Sequence, residues 1–385
     1  MAVKDQPLTI GIEEEYLLVD LKTRALADDT SVQENVIRDV MATVTDDIGF
    51  ATPEFLKSQV EVGTAVCNSV KEVSFKLKKL RSAVAKAASK YGLAPIAAST
   101  HPFADWQKLQ HTDKERYNNL ATDLQGVARR LVICGMHVHV GIEDQEHRID
   151  LLNQIAYFLP HMLALSTSSP FWNGENSGLM SYRIAVFDEL PRTGLPERFE
   201  SWTEYERHLK ILADAGVMPD ASKLWWDIRP HSTFPTLEMR IADICTHIDD
   251  GITIAAIYAC LLSMLQRLRR TNQRWRVYNN MLVNENRWLA QRHGIDKGMI
   301  DFGKSKTVPY SDLLEEIIEL TREDQIRLDC VEEVANARNI LKRGTSAHRQ
   351  IAVYEAVLGS GGTEQEALNS VVDWLVSETV QNIGV

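Results

Sequence analysis

Hydrophobic and polar residues alternate near the N-terminus, as they do in a β-strand that buries one face. In residues 10–19 the apolar side chains at every second position are Ile10, Ile12, Tyr16 and Leu18. The same alternation places Glu13 and Glu15 together on the other face, roughly 6.6 Å apart at ~3.3 Å per residue. Their mutual repulsion is about 2.5 kcal/mol at an effective dielectric near ~20. Such a pair indicates either a solvated sheet edge or a site that holds a cation.

Four later stretches show the same division into an apolar and a polar face. They predict strands at 58–64, 131–141, 224–229 and 236–241. The polar residues on these strands are Glu61, His137, His139, Asp227, Arg229, Glu238 and Arg240. Helical spacing of apolar residues predicts helices at 31–43, 68–91, 112–130, 146–168 and 203–215, and over most of the chain after 247.

Strands of this kind favour a mainly antiparallel sheet with helices on one face and an open polar face. The predicted fold class is therefore α+β. We expect residues 1–385 to form a single domain, with a sheet-forming part over about 7–245 and a helical C-terminal part over about 246–385. Residues 170–200, rich in Gly, Pro, Asn and Ser, predict a long functional loop.

The composition limits the partners and the location of the protein. It has 42 Lys and Arg against 53 Asp and Glu, and this formal charge of −11 disfavours nucleic acid and anionic membranes as partners. Its five cysteines are scattered, which favours a reduced, cytoplasmic protein and disfavours a cysteine-based zinc site. The longest apolar run, 252–262, is shorter than the ~20 residues of a membrane span. The sequence therefore predicts a soluble cytoplasmic protein.

The pooled polar faces favour divalent-metal and phosphate chemistry. Carboxylates with one or two imidazoles suit Mg²⁺ or Mn²⁺ better than zinc or copper. Arginines beside them suggest phosphate, because a guanidinium donates two parallel hydrogen bonds to its oxygens. Phosphoryl transfer from ATP requires this mixture, although the sequence contains no GxxxxGK[ST] loop. His137 and His139 also form the HxH pattern of metal-dependent amidohydrolases, so a metallohydrolase is the rival enzyme.

Some charged side chains have a structural interpretation instead. A solvated helix face is the simplest interpretation of four basic residues on the second helix, Lys76, Lys78, Lys79 and Arg81. Glu14 lies between the two site carboxylates of the first strand and points to the opposite, helix-covered side. We expect it to pair there with a basic side chain.

Three motifs together resemble the bacterial carboxylate–amine ligase family, also called type 2 glutamate–cysteine ligases. They are residues 11–16 (GIEEEY), 135–141 (GMHVHVG) and 226–230 (WDIRP). Residues 236–240 (TLEMR) and 100–103 (THPF) fit the family too, and the resemblance covers about 7–375 in the same order. It implies a glutamine-synthetase-like fold, in which the concave face of a curved antiparallel sheet holds ATP and divalent metals.

The resemblance also implies roles for individual residues. The implied metal ligands are Glu13, Glu15, Glu54, Glu61, His137 and Glu238. The implied catalytic residues are His137 near the metal and phosphates, Arg183 on a substrate carboxylate and Arg240 on phosphate oxygens. The implied nucleotide-binding residues are His139, Arg229, Arg240, His348 and Arg349. Without the resemblance, His348 and Arg349 indicate only a surface feature.

Members of this family, by the same resemblance, use ATP to convert a carboxylate into an acyl phosphate. An amine then attacks to give an amide, ADP and phosphate, and the usual substrates are the γ-carboxylate of glutamate and the amine of cysteine. The resemblance thus predicts a glutamate–cysteine type of ligase that uses ATP and Mg²⁺ or Mn²⁺, acts on small-molecule amino acids and amines, and forms a homodimer. A catalytically silent member that binds a nucleotide or metabolite is the non-enzyme alternative.

Overall fold

The fold is organised around the first strand. The computed structural model describes residues 8–27, 29–218 and 220–384. The strands in this part of the chain are β1 (Ile10–Asp20), β2 (Gly49–Pro53), β3 (Gln59–Thr64), β4 (Leu93–Ile96), β5 (Met136–Gly141), β6 (Phe171–Trp172), β7 (Glu175–Asn176), β8 (Thr193–Gly194), β9 (Trp225–Trp226), β10 (Ile228–Pro230), β11 (Thr236–Met239), β12 (Met299–Asp301) and β13 (Lys306–Val308). Seven of them form one open antiparallel sheet in the order β10–β11–β5–β1–β3–β2, with β4 beside the end of β1.

The central strand β1 is long enough, at 11 residues, to pair with three others. Its first half pairs with β5, its middle with β3 and its end with β4. The alternation of its side chains sets the register, because a slip of one residue would turn Glu13 and Glu15 into the core. The α+β class with an antiparallel sheet, predicted from this alternation, is confirmed.

Helices cover one face of the sheet and make up most of the chain after residue 247. In the described residues they are α1 (Thr30–Met41), α2 (Val70–Ser89), α3 (Glu115–Leu124), α4 (Gly126–Arg129), α5 (Gln145–Ile155), α6 (Leu159–Ser166), α7 (Tyr182–Phe187), α8 (Trp202–Asp214), α9 (Ile248–Arg270), α10 (Asn280–His293), α11 (Tyr310–Leu320), α12 (Arg322–Arg327), α13 (Val331–Ala335), α14 (Ala337–Arg343), α15 (Ser346–Gly359) and α16 (Glu364–Thr379). The main sheet ends before residue 240, and the helical part that follows contains only one described hairpin, β12–β13.

The helix α9 is the apolar centre of the helical layer. By length and composition it could cross a membrane, but 94% of its apolar window is buried inside the fold. It packs against α2, β5 and the helices α12 to α14. A helix that is enclosed on all sides is hydrophobic all round, so its composition reflects a core position.

Glu14 lies on the helix-covered face and pairs with a basic residue, as predicted. Arg81 of α2 donates from Nη2 to Glu14 Oε1 at 2.6 Å and from Nε to Oε2 at 3.2 Å, and Tyr16 donates its hydroxyl to the same carboxylate. The interpretation of Arg81 as part of a solvated face is wrong, because its side chain is fully buried. Its position, four residues after Leu77 and three before Val84, places it on the apolar stripe of α2.

The strand predictions differ from the structure at three places, the first being that the predicted strand 131–141 begins only at Met136. The predicted strand 224–229 is divided at Asp227, whose carboxylate accepts two hydrogen bonds from Arg287 of α10, at 2.7 and 3.1 Å. The edge strand β2 was not predicted, because Pro53 suggested a break; proline is tolerated at the end of an edge strand. The predicted 170–200 loop contains the hairpin β6–β7, the helix α7 and the strand β8.

Candidate active site on the open face of the sheet

The register of the sheet aligns polar residues of neighbouring strands on its open face. Glu13 of β1 lies opposite His137 of β5, and Glu15 lies opposite Glu61 of β3. Residues that lie opposite one another in a sheet point to the same face, with Cβ atoms roughly 4.5–5.5 Å apart. The polar neighbour of Glu13 therefore lies on the β5 side of the strand, and the polar neighbour of Glu15 lies on the β3 side.

The strands β10 and β11 extend this polar surface. Glu238 of β11 lies opposite His139 of β5 on one side and Arg229 of β10 on the other. We call the whole surface the sheet site, and its members are Glu13, Glu15, Glu61, His137, His139, Arg229, Glu238 and Arg240. The structure thus brings together the polar residues that the alternation placed on one face, with the exception of Asp227.

The carboxylate of Glu13 lies between two imidazoles. Its Oε2 is 3.2 Å from Nδ1 of His137 and 3.5 Å from Nε2 of His139. Burial alone would raise the pKa of Glu13, but the two imidazoles hold it well below its usual range. Burial and the charge of Arg240 lower the pKa of His137 to about 4, so this imidazole is neutral at pH 7. Burial would lower the pKa of His139 as well, but Glu13 and Glu238 raise it.

Two arginines compensate the charge of Glu238. Arg229 Nε donates to Glu238 Oε2 at 2.7 Å, and Arg240 Nη1 donates to Oε1. Burial would raise the pKa of Glu238, but these guanidiniums hold it well below its usual range. Nη1 of Arg229 donates to the carbonyl oxygens of Ser222 and Leu224, at 2.9 and 2.7 Å. Arg229 therefore positions Glu238, and its described contacts do not support the predicted role in nucleotide binding.

An excess of negative charge lies at the other end of the sheet site. Burial and the charge of Glu54, which follows β2, raise the pKa of Glu15 to about 8. Burial, followed by the charges of Glu54, Glu13 and Glu15, raises the pKa of Glu61 well above its usual range. Upward shifts of this kind mean that burial and the neighbouring carboxylates together disfavour the charged form more than nearby cations favour it. This end of the site therefore favours a bound cation.

Arg183 reaches the site from α7, outside the sheet. Its guanidinium lies over Gly135, where a Cβ atom would be only 2.5 Å from Nη2. Nη1 and Nη2 donate to the carbonyl oxygens of Ile241 and Arg240, at 3.3 and 3.1 Å. Nε of Arg183 and Nε of Arg240 are buried, and neither has a hydrogen-bond partner among the described residues. Because a buried donor without a partner costs free energy, these two atoms indicate where an anionic ligand binds.

A buried carboxylate that the sequence did not reveal supports Arg183. Asp243 accepts hydrogen bonds from the hydroxyls of Ser169 and Ser181, at 2.8 and 2.9 Å, and from the N–H of Ser168 at 2.9 Å. The hydroxyl oxygen of Ser169 in turn accepts the backbone N–H of Arg183 at 3.1 Å. Asp243 follows the last sheet strand without any periodic pattern, so its partners became visible only in the fold.

A pocket of about 400 Å³ opens over the acidic end of the sheet site. We call it the sheet-site pocket, and its polar lining includes Glu15, Glu54, His137, Arg183 and Arg240. The hydroxyl of Tyr117 donates to Glu54 Oε2 at 3.1 Å and orients this carboxylate. Tyr117 belongs to α3, which the sequence predicted only as a charged helix without a site residue.

A larger groove, of about 660 Å³, lies between α8 and residues 231–235. Its charged lining residues are Glu143, Arg148, Glu206, Lys210 and Asp220. This groove lacks, among the described residues, the facing carboxylates and unpartnered guanidinium nitrogens of the sheet site. Chemistry rather than volume therefore identifies the candidate active site.

The described contacts of two predicted nucleotide-binding residues are with side chains outside the sheet site. His348 is part of the N-terminal cap of α15, with Nδ1 2.7 Å from Thr345 Oγ1 and Nε2 3.0 Å from Asp296 Oδ1. The guanidinium of Arg349 lies over the ring of Trp374, at 5.8 Å. A role of His348 and Arg349 in nucleotide binding stays a prediction that these contacts do not support.

The donor set of the sheet site fits a hard divalent cation. Glu13, His139 and Glu238 bring ligand atoms within 4.8 Å of one another, and Nε2 of His139 is buried without a hydrogen-bond partner. The carboxylates of Glu15, Glu54 and Glu61 form a second acidic group on the far side of Glu13. Carboxylate oxygens with a single imidazole suit Mg²⁺ or Mn²⁺. The resemblance implied His139 as a nucleotide contact, but its position groups it with the residues that suit a metal.

Comparison with known sequences places the chain in a family. A family model described as "Glutamate-cysteine ligase family 2" matches residues 9–373. A protein of Rhodospirillum rubrum named "Putative glutamate--cysteine ligase 2" is 56% identical over 383 residues, which cover 99% of this chain and 98% of that protein. A protein of the same name from Jannaschia sp. is 49% identical over 375 residues, which cover 97% of this chain and 97% of that protein.

Solved structures share the fold at low identity. A glutamate–cysteine ligase of Francisella tularensis in complex with AMP matches with a TM-score of 0.67 and 14% identity, over 100% of this chain and 94% of that one. A bifunctional glutathione synthetase of Pasteurella multocida matches with a TM-score of 0.65 and 13% identity, over 97% of this chain and 53% of that one. These likenesses confirm the predicted fold.

Proposed function

The chain belongs to glutamate–cysteine ligase family 2, and we propose that it is an ATP-dependent carboxylate–amine ligase that acts through an acyl phosphate. One observation carries the proposal. Facing carboxylates on the sheet lie beside two buried guanidiniums whose Nε atoms have no partner, those of Arg183 and Arg240. Carboxylates suit Mg²⁺, and guanidiniums suit phosphate and carboxylate oxygens. Phosphoryl transfer depends mainly on such charge compensation and positioning.

The proposed reaction has two steps. In the first, a carboxylate oxygen of the substrate attacks the γ-phosphorus of ATP, the bond to the β,γ-bridging oxygen breaks, and ADP leaves. In the second, the nitrogen of an amine attacks the carbon of the acyl phosphate, loses a proton, and inorganic phosphate leaves. The product is an amide. The enzyme forms no covalent bond to substrate in this scheme, so it requires no protein nucleophile.

The side chains would contribute binding and charge stabilisation. Mg²⁺ bound by the carboxylates would neutralise phosphate charge as the substrate carboxylate approaches. Arg240 would stabilise charge on the transferring phosphoryl group, and Arg183 would orient a substrate carboxylate. His137 is neutral at pH 7 because burial and the charge of Arg240 lower its pKa. Its ring nitrogens would accept or donate hydrogen bonds that link the metal ligands to the phosphates.

We propose glutamate as the carboxylate substrate and cysteine or another amine as the acceptor. The family and the described pocket support small-molecule substrates of this size. A cytoplasmic location and a homodimeric state remain predictions from sequence.

The test is ADP release with Mg²⁺, glutamate and a panel of amines, with mass-spectrometric detection of new amides. We expect release to depend on both substrates. Glu15→Gln should reduce turnover at least ~1,000-fold while the fold is retained, because the amide cannot replace a charged ligand of the cation. The matched control is Glu34→Gln on the exposed side of α1, which should retain full activity.

Other results would reject the proposal. Full activity of Glu15→Gln would remove this residue from the metal site. Metal-dependent amide hydrolysis without ADP release would identify the metallohydrolase that the HxH pattern suggested. Tight binding of Mg²⁺ and ATP with no turnover for any pair of substrates would identify a binding protein.

A further inference from the structure

One side of the sheet-site pocket is apolar, and neither glutamate nor cysteine accounts for it. We call this side the apolar wall. Its residues are Phe55, Tyr117, Leu120, Phe187, Leu190 and Trp225. They come from the loop after β2, from α3, from the end of α7 and from β9, so four separate parts of the chain converge on this surface.

Contacts with neighbouring side chains hold three aromatic residues of the apolar wall in place, Phe55, Tyr117 and Phe187. Phe55 stacks on His111, with 5.8 Å between ring centroids, and meets Tyr117 edge-on at 5.7 Å. The guanidinium of Arg183 lies 5.4 Å from the centre of the Phe187 ring. The wall therefore exists before a ligand binds, and binding needs little ordering of its side chains.

The charged groups of the pocket lie beside the apolar wall. Arg183 and Arg240, with their unpartnered Nε atoms, suit the anionic substrate and the transferring phosphate. The carboxylates of Glu15 and Glu54 line the same pocket, so the cation that they would hold and the acyl phosphate belong at this end. The hydroxyl of Tyr117 donates to Glu54, so the acidic groups and the apolar wall adjoin. An amine that attacks the acyl phosphate at this end can therefore place an apolar substituent against the wall.

We infer that the acceptor is a primary amine with an aromatic or bulky apolar substituent, in preference to cysteine. This inference rests on the proposed ligase function. A small polar acceptor would leave the part of the apolar wall that the base of ATP does not cover in contact with water, whereas an aromatic ring on the acceptor would cover it. Discrimination by an apolar pocket is about 10- to 200-fold for a single methylene group, so a phenyl group at this wall has a measurable effect.

The experiment compares amines that share one reacting group. The full chain is assayed with ATP, Mg²⁺ and glutamate, and with ethylamine, 2-phenylethylamine or cysteine as acceptor. ADP release gives kcat/KM, and mass spectrometry identifies each amide. We expect kcat/KM for 2-phenylethylamine to exceed the values for ethylamine and for cysteine at least tenfold.

A pair of variants on α3 tests whether the apolar wall causes the preference. Leu120→Trp fills space at the wall, and we expect it to lower the ratio of kcat/KM for 2-phenylethylamine over ethylamine at least tenfold. Leu124→Trp is the matched control, because Leu124 lies on the same helix but outside the lining of the pocket. It should leave the ratio unchanged. Circular dichroism and thermal unfolding establish that both variants fold.

The outcomes separate this inference from the proposed function. ADP release with cysteine or ethylamine but no gain from the phenyl group would overturn the inference and leave the ligase function standing. A phenyl preference that Leu120→Trp and Leu124→Trp alter equally would overturn the assignment to the apolar wall. No ADP release with any of the acceptors would overturn both.

Discussion

Three consecutive glutamates of β1 have opposite surroundings on the two faces of the strand. Glu14, on the helix-covered face, receives hydrogen bonds from Arg81 and Tyr16 and is fully enclosed with them. Glu13 and Glu15, on the open face, meet imidazoles and further carboxylates. The first face contains a closed ion pair, and the second face has charge that its neighbours do not fully compensate.

This difference shows how one strand can serve stability and chemistry at once. Glu14, enclosed with Arg81 and Tyr16, has no open side where a ligand could bind. The carboxylates of Glu15 and Glu61, with raised pKa values, still need a cation or a proton. Because successive side chains of a strand alternate between faces, the two functions stay separate although the residues are adjacent.

The largest expected effect comes from removing Arg81 from its buried ion pair with Glu14. Arg81→Met should lower the free energy of unfolding by about 3–5 kcal/mol, because it leaves a buried carboxylate without its partner. Unfolding by urea, followed by circular dichroism, measures the loss. The remaining folded protein should bind Mg²⁺ as the wild type does, because the described hydrogen bonds of Arg81 all lie on the helix-covered side.

The double variant Glu14→Leu with Arg81→Met is the control for this prediction. Replacement of a buried ion pair by apolar residues of similar size is often neutral, so the double variant should recover part of the lost stability. Recovery is incomplete because the carbonyl oxygens of Cys245 and Thr246 lose their hydrogen bonds from Arg81. A loss below ~1 kcal/mol for Arg81→Met alone would contradict the interpretation of the helix-covered face.

Loss of a carboxylate from the open face should weaken cation binding without lowering the free energy of unfolding. Glu61→Gln should weaken Mg²⁺ binding at least ~10-fold, the lower limit seen even for residues that only support a metal ligand. Its free energy of unfolding without metal should stay the same or rise, because a repulsive charge is removed. Isothermal titration calorimetry gives the affinity, with Glu34→Gln as the control. Unchanged affinity would remove Glu61 from the cation site.

The smallest expected effect is a dependence of stability on pH. The pKa of Glu15, about 8 in the folded chain, is raised above its usual value near 4.5. Between these values the folded chain retains a proton that the unfolded chain releases, so the stabilisation is complete below pH ~4.5 and is lost as the pH rises to ~8. Mg²⁺ binds the deprotonated carboxylate, so it should raise Tm more at pH 9 than at pH 6.

Differential scanning fluorimetry measures this effect, which we expect to be roughly 2 °C or more in Tm. The variant Glu15→Gln isolates it from other titrating groups, since the amide remains neutral at every pH. The Tm of the variant relative to wild type should therefore rise from pH 6 to pH 9 in the absence of Mg²⁺. A constant difference would contradict the raised pKa of Glu15.

Much of the sheet site could be predicted from the sequence because strands have a simple period. The alternation in residues 10–19 and 131–141 placed Glu13, Glu15, His137 and His139 on one face, and the structure has them there. The prediction failed at Asp227, where the strand is divided and the side chain turns to Arg287. Period two applies only while the extended backbone continues.

The sequence by itself determined which residues of each strand share a face, the fold class and, through its motifs, the family. Only the tertiary structure decided which faces meet and which charges are paired. Arg81 and Glu14 are 67 residues apart and Arg183 and Gly135 are 48 apart, so no local pattern connects them. The apolar wall likewise combines side chains from four segments. Local alternation is a property of the backbone, whereas pairing of charges and the shape of a pocket depend on contacts between distant segments.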